Sequence, residues 1–358
     1  MTPAAVAVES RGAPRPSTCQ PMISVIVPVR NEAAALGRTL DQLLAQDYDR
    51  FEVIVVDGRS TDATRDIVRQ RQVGHAHLTL LDNPRRLSSA ARNIGLRAAR
   101  GDYVVIVDGH CDVPDEGYLR RVAEAFARSG ADCLGRPQPL EIAGGSVLQR
   151  AIAAARRSWL GHNPASYIYS DHEGFVAPDS VAVAYRRSVF TRIGEFDERF
   201  DACEDVEFNY RARQAGLTCW FTPQIAVHYH PRKSLPRLFR QMARYGRGRV
   251  RLLRKHPGSF SLGCFLPALL TLWLAIGWWP SWFLSGGLAC YVASAFFYAA
   301  TLLTGAVGIA LVQRDAALLP RLPVVLATIH LGAGAGILFE LLAGRRDFRP
   351  TSPTGGGS

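Results

Sequence analysis

Three acidic positions in this chain have neighbours that suit them to chemistry. Asp57 closes the apolar run Phe51-Glu-Val-Ile-Val-Val56 and is followed by Gly-Arg-Ser-Thr-Asp62. A carboxylate at a strand's end, with Gly and a small polar residue opening a helix, can hydrogen-bond a base or ribose. Asp57 and Ser60 can equally do no more than cap that helix. Asp108-Gly-His-Cys-Asp112 again ends a strand. Two acids and an imidazole so close together can hold a divalent cation against a diphosphate, or form only a solvated acidic turn. Asp201-Ala-Cys-Glu204-Asp205 opens a later helix. Paired acids there complement the helix dipole, and one ionised carboxylate aimed at a hydroxyl suits a general base.

The elements that must position these acids are legible in the periodicity. Ile23–Pro28, Phe51–Val56, Leu78–Leu81 and Tyr103–Val107 are β-branched or apolar runs that predict buried strands. Between them, 33–46, 61–71 and 88–99 carry helical spacing, such as Leu36, Leu40, Leu43 and Leu44. Strands and helices alternating in short units imply an α/β fold with a mostly parallel sheet covered on both faces. Ligands of such sheets bind beyond the carboxyl ends of the strands, where Asp57 and Asp108 fall. After about Asp132 the rhythm loosens, and Gly, Pro and aromatic residues between Trp159 and Pro178 suggest loops facing an acceptor. Val181–Tyr185 and Thr218–Phe221 read as strands and 204–215 as a helix.

Composition then divides the chain. Residues 1–20 read as a disordered leader, since they lack the apolar core of a signal peptide, and 21–231 as one catalytic domain. Residues 232–257 carry ten Lys/Arg and no acid, with Leu238, Phe239, Met242 and Tyr245 at helical spacing. That pattern predicts a basic amphipathic helix in a membrane interface, and it localises much of the net charge of +11 beside anionic lipid headgroups. No nucleic-acid motif accompanies it. Residues 258–344 contain three apolar blocks (Leu262–Leu284, Gly286–Val312 and Leu322–Ala343), each long enough to span a membrane. Residues 345–358 are a tail whose Thr-Gly-Gly-Gly-Ser end resembles a cloning linker. Seven scattered cysteines with no Cys-X-X-Cys argue for a reducing compartment. The expectation is an integral protein of a bacterial-type inner membrane with a cytoplasmic catalytic domain. Three crossings would put Arg345, Arg346 and Arg349 outside, against the positive-inside tendency.

Taken in order, these motifs resemble glycosyltransferase family 2, which has the GT-A fold. The resemblance runs from about Ile23 to Arg251 through Val27-Pro-Val-Arg30-Asn-Glu32, Asp57-Gly-Arg-Ser60-Thr-Asp62, Ser88-Ser-Ala-Ala-Arg92-Asn93-Ile-Gly95, Val107-Asp108-Gly-His110, Tyr185-Arg-Arg187, Gly194-Glu-Phe-Asp-Glu198 and Glu204-Asp205. Gly109-His110-Cys111, the Tyr-Arg-Arg element and Gln241–Arg249 are similar to the succinoglycan-type exopolysaccharide branch. The resemblance implies an inverting hexosyltransferase. Pro28, Arg30, Glu32, Asp57, Arg59, Arg92, Asp108 and Gly109 would then bind a UDP-sugar donor, UDP-glucose being the first expectation. Asp205, beside Glu204, would be the base.

Asp108 matches the first position of the family's Asp-X-Asp metal motif, with His110 at the third. Asp108 and His110 are thus the implied ligands of Mn²⁺ or Mg²⁺, and His228, in His228-Tyr-His230, can contact that metal or the diphosphate or be only a structural pair. Arg186, Gln241, Arg244, Tyr245 and Arg247 are candidate contacts to the acceptor or diphosphate, Gln241–Tyr245 resembling the Gln-X-X-Arg-Trp motif of polysaccharide synthases, while Arg244, Arg247 and Arg249 can equally be lipid-facing charges. The anchor points to a polyprenyl-linked or other lipid-linked saccharide as acceptor, in exopolysaccharide or cell-envelope glycan synthesis. Transfer onto polyprenyl phosphate itself and a non-catalytic nucleotide-sugar-binding scaffold are the alternatives. A nucleotidyltransferase fits less well, for want of a Gly-rich phosphate loop near the first strand.

Overall fold

The computed structural model describes residues 20–140, 144–162 and 166–343; the leader before residue 20 and the tail after 343 lie outside them. The elements in chain order are β1 (Ile23–Val29), α1 (Ala33–Leu44), β2 (Phe51–Asp57), α2 (Thr64–Gln72), β3 (Leu78–Asp82), α3 (Ser88–Ala98), β4 (Tyr103–Ile106), β5 (Cys111–Asp112), α4 (Tyr118–Ser129), β6 (Cys133–Gly135), α5 (Val147–Arg157), β7 (Gly174–Val176), α6 (Pro178–Val181), β8 (Ala182–Arg186), α7 (Arg187–Ile193), α8 (Glu204–Gln214), β9 (Cys219–Phe221), β10 (His228–Tyr229), α9 (Leu235–Lys255), α10 (Leu262–Ile276), α11 (Trp278–Trp282), α12 (Gly287–Gln313) and α13 (Leu322–Leu342).

Eight strands form one sheet in the order β3-β2-β1-β4-β8-β6-β9-β7, and β10 pairs with β5 in a second small sheet. The first four strands of that order are parallel, while β8 runs antiparallel to both its neighbours. Alternation along the parallel strands divides the core between the two faces. Val25, Val27, Val53 and Val55 join Leu36, Leu40 and Leu43 of α1 on one side. Ile26, Ile54 and Val56 join Ala91 and Leu96 of α3 on the other. The predicted strands and helices of this half are present with ends displaced by at most a few residues. Asp57 ends β2, and Asp108 follows β4.

The apolar third departs from three equal spans. Two helices, α12 and α13, are long and apolar enough to cross a membrane. The first block instead gives α10, of 15 residues, and then the separate α11. Gly277 separates the two helices, and Pro280 within α11 has no N–H with which to continue the ladder. A composition window sees only continuous apolarity there, not the turn.

The basic helix α9 packs along α13 through small residues. A methyl added at Gly332 would lie 2.9 Å from Met242 Cβ, and one at Gly336 or Gly246 would strike backbone of the opposite helix. Such stripes let helices approach backbone to backbone.

Helix α9 is also locked to the catalytic unit at its far end. Glu207 of α8, fully buried, pairs with Lys255 at 2.7 Å, His256 at 2.9 Å and Arg211 at 2.9 Å. Burial pushes its carboxyl up, but these three partners outweigh burial and hold it down at about 2. The folded value lies below that of the unfolded chain. The charged carboxylate therefore stabilises the fold above about pH 4.5, and this is lost as pH falls toward about 2, for a contribution of roughly 3 kcal/mol. Thermal unfolding followed from pH 6 to pH 3 is expected to show a falling midpoint. Glu207→Gln should start lower and decline less over that range.

Candidate active site

The loops after β1 and β2 are knitted together before any ligand arrives. Asn31, in the left-handed region at φ 56°, accepts from the Thr61 N–H at 2.8 Å. Its own N–H donates to Ser60 Oγ at 2.8 Å, and the Glu32 N–H donates to Thr64 Oγ1 at 2.9 Å. Asp57 is fully buried, accepts from Ser60 Oγ at 2.5 Å and pairs with Arg65 at 2.9 Å. Asp57 thus caps and braces this loop pair, whatever else it binds. Arg30 and Arg59 stand exposed on the same loops, with Pro28 half-buried behind them. The aliphatic stem of Arg30 packs over Gly58.

Asp108 sits at the next strand end. Its Oδ2 accepts from the Tyr229 hydroxyl at 2.8 Å, which leaves Oδ1 free of any hydrogen bond given by the described residues. Burial raises its carboxyl, but His110, Arg92, the Tyr229 hydroxyl and Arg136 together bring it below the usual carboxylate range. His110 is opposed by burial, yet Glu32, 3.2 Å from its Nδ1, and Asp108 carry its imidazole above the usual value. Beside Asp108, Gly109 leaves no room for a side chain, since a Cβ would lie 2.6 Å from Val29.

The β5–β10 pairing explains which aromatic reaches this site. Tyr229 lies opposite Cys111 and His228 opposite Asp112. Adjacent strand residues face opposite ways, so Tyr229 and not His228 meets Asp108. His230 instead bonds Asp112 at 3.0 Å and Arg38 at 2.9 Å. Among the described residues no three His, Cys, Asp or Glu side chains form a metal cage, so Asp108, His110 and His228 do not make one. The donors nevertheless suit a cation that takes most of its ligands from substrate. Asp108 has one oxygen without a hydrogen bond from the described residues, His110 offers Nε2 once a cation displaces its proton, and such ions are often held by one or two side chains plus phosphates.

The acids of α8 arrive from the other side. Cys203, in the left-handed region at φ 61°, turns the chain into the helix. Glu204 is buried and pairs with Arg92 at 3.3 Å, whereas Asp205 is exposed and its Oδ1 accepts from the Val206 N–H at 2.8 Å. Arg92, 8 % exposed, projects from α3 between the two motifs. Burial works against its charge, and Glu204, Asp205 and Asp108 hold that charge in place. Its Nε has no partner among the described residues.

The remaining expected contacts separate. Gln241 accepts from Arg232 at 3.2 Å and donates to the Tyr245 hydroxyl at 3.0 Å, and Arg244 donates to the Asp201 carbonyl at 2.7 Å. These three lie beside the Asp201–Asp205 loop. Arg186 lies elsewhere, its guanidinium on the carbonyls of Ala131 and Phe126. Arg247 is spent on Glu340 at 3.0 Å.

Sequence reasoning missed Tyr229, the fully buried Arg136 behind it, and a cluster facing α9. In that cluster Arg156 of α5 lies 5.9 Å from the Tyr245 ring, and His162 packs on Tyr169 at 4.9 Å. Burial, Arg156 and Arg249 push the His162 imidazole down to about 4.

An open α/β sheet with acids gathered past its strand ends, closed by a second acidic loop and backed by apolar helices, defines a GT-A glycosyltransferase. A family model described as glycosyltransferase like family 2 matches residues 21–248. The succinoglycan biosynthesis protein ExoA of Rhizobium meliloti (strain 1021) is 32% identical over 330 residues, spanning 90% of this chain and 96% of that protein. A dolichyl N-acetyl-alpha-D-glucosaminyl phosphate 3-beta-D-2,3-diacetamido-2,3-dideoxy-beta-D-glucuronosyltransferase of Methanococcus voltae is 25% identical, spanning 91% of this chain and 99% of that protein. The same fold is seen in the mannosyltransferase PcManGT from Pyrobaculum calidifontis, solved in complex with GDP-Man and Mn²⁺, at a TM-score of 0.57 and 24% identity over 92% of this chain and 89% of that one. The chain belongs to glycosyltransferase family 2, and it is a glycosyltransferase of exopolysaccharide or other glycan biosynthesis.

Proposed function

We propose that this enzyme transfers a sugar, with inversion, from a UDP-sugar to a lipid-linked saccharide at the cytoplasmic face of a membrane. The observation that carries this reading is Arg92, 8 % exposed and 3.3 Å from Glu204, whose charge is favoured also by the nearby Asp205 and Asp108. A strand-end acid that faces a leaving diphosphate and a helix-start acid that faces an acceptor are thereby set across one cleft.

Of the two α8 acids, Asp205 is the base, because Glu204 is buried and neutralised by Arg92 while Asp205 is open to an incoming hydroxyl. Asp205 accepts the acceptor's hydroxyl proton as that oxygen attacks the anomeric carbon. The bond from that carbon to the diphosphate oxygen breaks on the opposite face, so an α-linked donor yields a β-glycoside and a nucleoside diphosphate. A Mn²⁺ or Mg²⁺ ion held by Asp108, His110 and the donor phosphates would neutralise charge on that leaving group. Asp57 and the loops around Arg30, Glu32 and Arg59 border the nucleotide. Arg244, Tyr245 and Gln241, with Arg156 nearby, offer donors for the phosphate of a polyprenyl-type acceptor, and the exposed tryptophans Trp278, Trp279 and Trp282 suit a lipid surroundings.

The test is nucleotide release by the purified chain in detergent from a panel of UDP- and GDP-sugars, supplied with membrane lipid extract and Mn²⁺ or Mg²⁺. Release from one UDP-sugar that depends on lipid and metal is the expected result. Equal turnover with a soluble acceptor in place of lipid would overturn the acceptor assignment.

A further inference from the structure

A chain of charged side chains runs from α13 to the loop that opens α8. Glu340 is the one Asp, Glu, Lys or Arg of α13, and it is 2 % exposed. It accepts from Arg251 at 2.8 Å and 3.1 Å and from Arg247 at 3.0 Å. Arg251, itself fully buried, gives its remaining Nη1 to the Asp201 carboxylate. Beyond Asp201 the loop is clamped from the same helix. Arg244 holds the Asp201 carbonyl at 2.7 Å, and a Cβ on Gly248 would lie 2.8 Å from the Cβ of Cys203. Cys203 adopts a left-handed backbone that a side chain disfavours, so this clamp sets the direction in which Glu204 and Asp205 leave the loop.

A buried ion pair is seldom a better source of stability than an apolar residue of similar size. Glu340 and Arg251 sit where a leucine and a methionine would pack with no charge to desolvate. What the ionic chain supplies instead is geometry, because two bidentate-capable groups fix the α13–α9–loop distance more narrowly than apolar contact does. We infer that Glu340 is a positioning residue that, through Arg251 and Asp201, aims the Asp205 carboxylate at the acceptor hydroxyl. The inference rests on the reading of Asp205 as the base. It makes the membrane-associated helix part of the catalytic geometry and not only an anchor.

The test uses the full chain in detergent, with UDP as the binding probe and nucleotide release from the UDP-sugar panel as the turnover readout. Glu340→Gln and Asp201→Asn are made separately. The second lies at the partly exposed end of the chain and leaves the α9–α13 contact intact, so a folding defect in the first does not decide the outcome. Each is expected to lower kcat on the order of 10- to 10²-fold, as small misplacements of catalytic groups do, with KM for the donor and Kd for UDP unchanged. In an Asp205→Asn background both losses should vanish, because they act through that carboxylate. Unchanged kcat in Asp201→Asn, parallel loss of UDP affinity, or additive losses in the Asp205→Asn background would each overturn the inference. An Asp205→Asn enzyme with full turnover would remove the base assignment itself and this inference with it, a result separable from the others because it needs neither partner variant.

Discussion

Asp205→Asn is expected to lower turnover by about 10²- to 10⁴-fold, the range over which a positioned base contributes, while UDP affinity is unchanged. The substitution is mild for the fold. An amide oxygen can still accept from the Val206 N–H that Asp205 Oδ1 now takes at 2.8 Å, so that first-turn hydrogen bond is kept. What is lost is a group able to take a proton. Steady-state release of nucleotide beside calorimetric titration with UDP separates the two effects. A variant that loses turnover and UDP binding together would place Asp205 on the donor and not on the acceptor. Glu204→Gln should behave differently, with lost stability as its first consequence, since Glu204 is the ion-pair partner of Arg92.

Arg92→Ala carries the largest expected cost to the fold. Arg92 is a buried cation whose ion-pair partner is the buried Glu204, and its removal leaves that carboxylate without its counter-charge. Breaking a buried pair from one side costs about 3–5 kcal/mol. For a domain of this size that corresponds to a fall in melting temperature of about 10 °C. Arg92→Lys keeps the charge but not the fork, so it should recover part of the stability and little of the turnover. Differential scanning fluorimetry in detergent with and without UDP reads this directly. A melting temperature within about 2 °C of the parent protein in Arg92→Ala would mean that this carboxylate is compensated elsewhere.

Asp57, Asp108 and the pair Glu204-Asp205 were legible because each ends or opens an element whose periodicity is local. The hydrophobic alternation of β1, β2 and β4 is enough to place the first two acids at one edge of a sheet. The partners of those acids were not legible, for a physical reason. Tyr229 reaches Asp108 only because β10 pairs with β5, and that two-residue pairing has no periodic signal. His228 read equally as a metal or diphosphate contact and as a structural pair, and in the β5–β10 pairing it lies opposite Asp112. Arg156 of α5 meets Tyr245 of α9 across two helices distant in sequence, and nothing in either segment announces the other. Arg247 read equally as a ligand contact and as a lipid-facing charge, but its partner Glu340 lies in an apolar block that composition treats as lipid-facing.

The packing of α13 also bears on sidedness. Leu322 and Leu326 near its start share a core with Ala151, Ile152 and Ala155 of α5, while Glu340 near its end holds Arg251 of α9. Both ends of the helix therefore rest on the catalytic unit. The hairpin of α10 and α12, pinned by Trp273 on Ser294 and Tyr291 on Leu274, leaves from the end of α9 and returns where Asp315 meets Arg150 of α5. A chain that departs from and returns to one face makes an even number of crossings. The expected outcome is that Ala343, at the end of α13, lies on the same side of the membrane as the nucleotide site. In inverted vesicles a cysteine introduced at Ala343 should react with an impermeant maleimide whenever one at exposed Val73 does. Protection of Ala343 alone would show that α13 crosses after all.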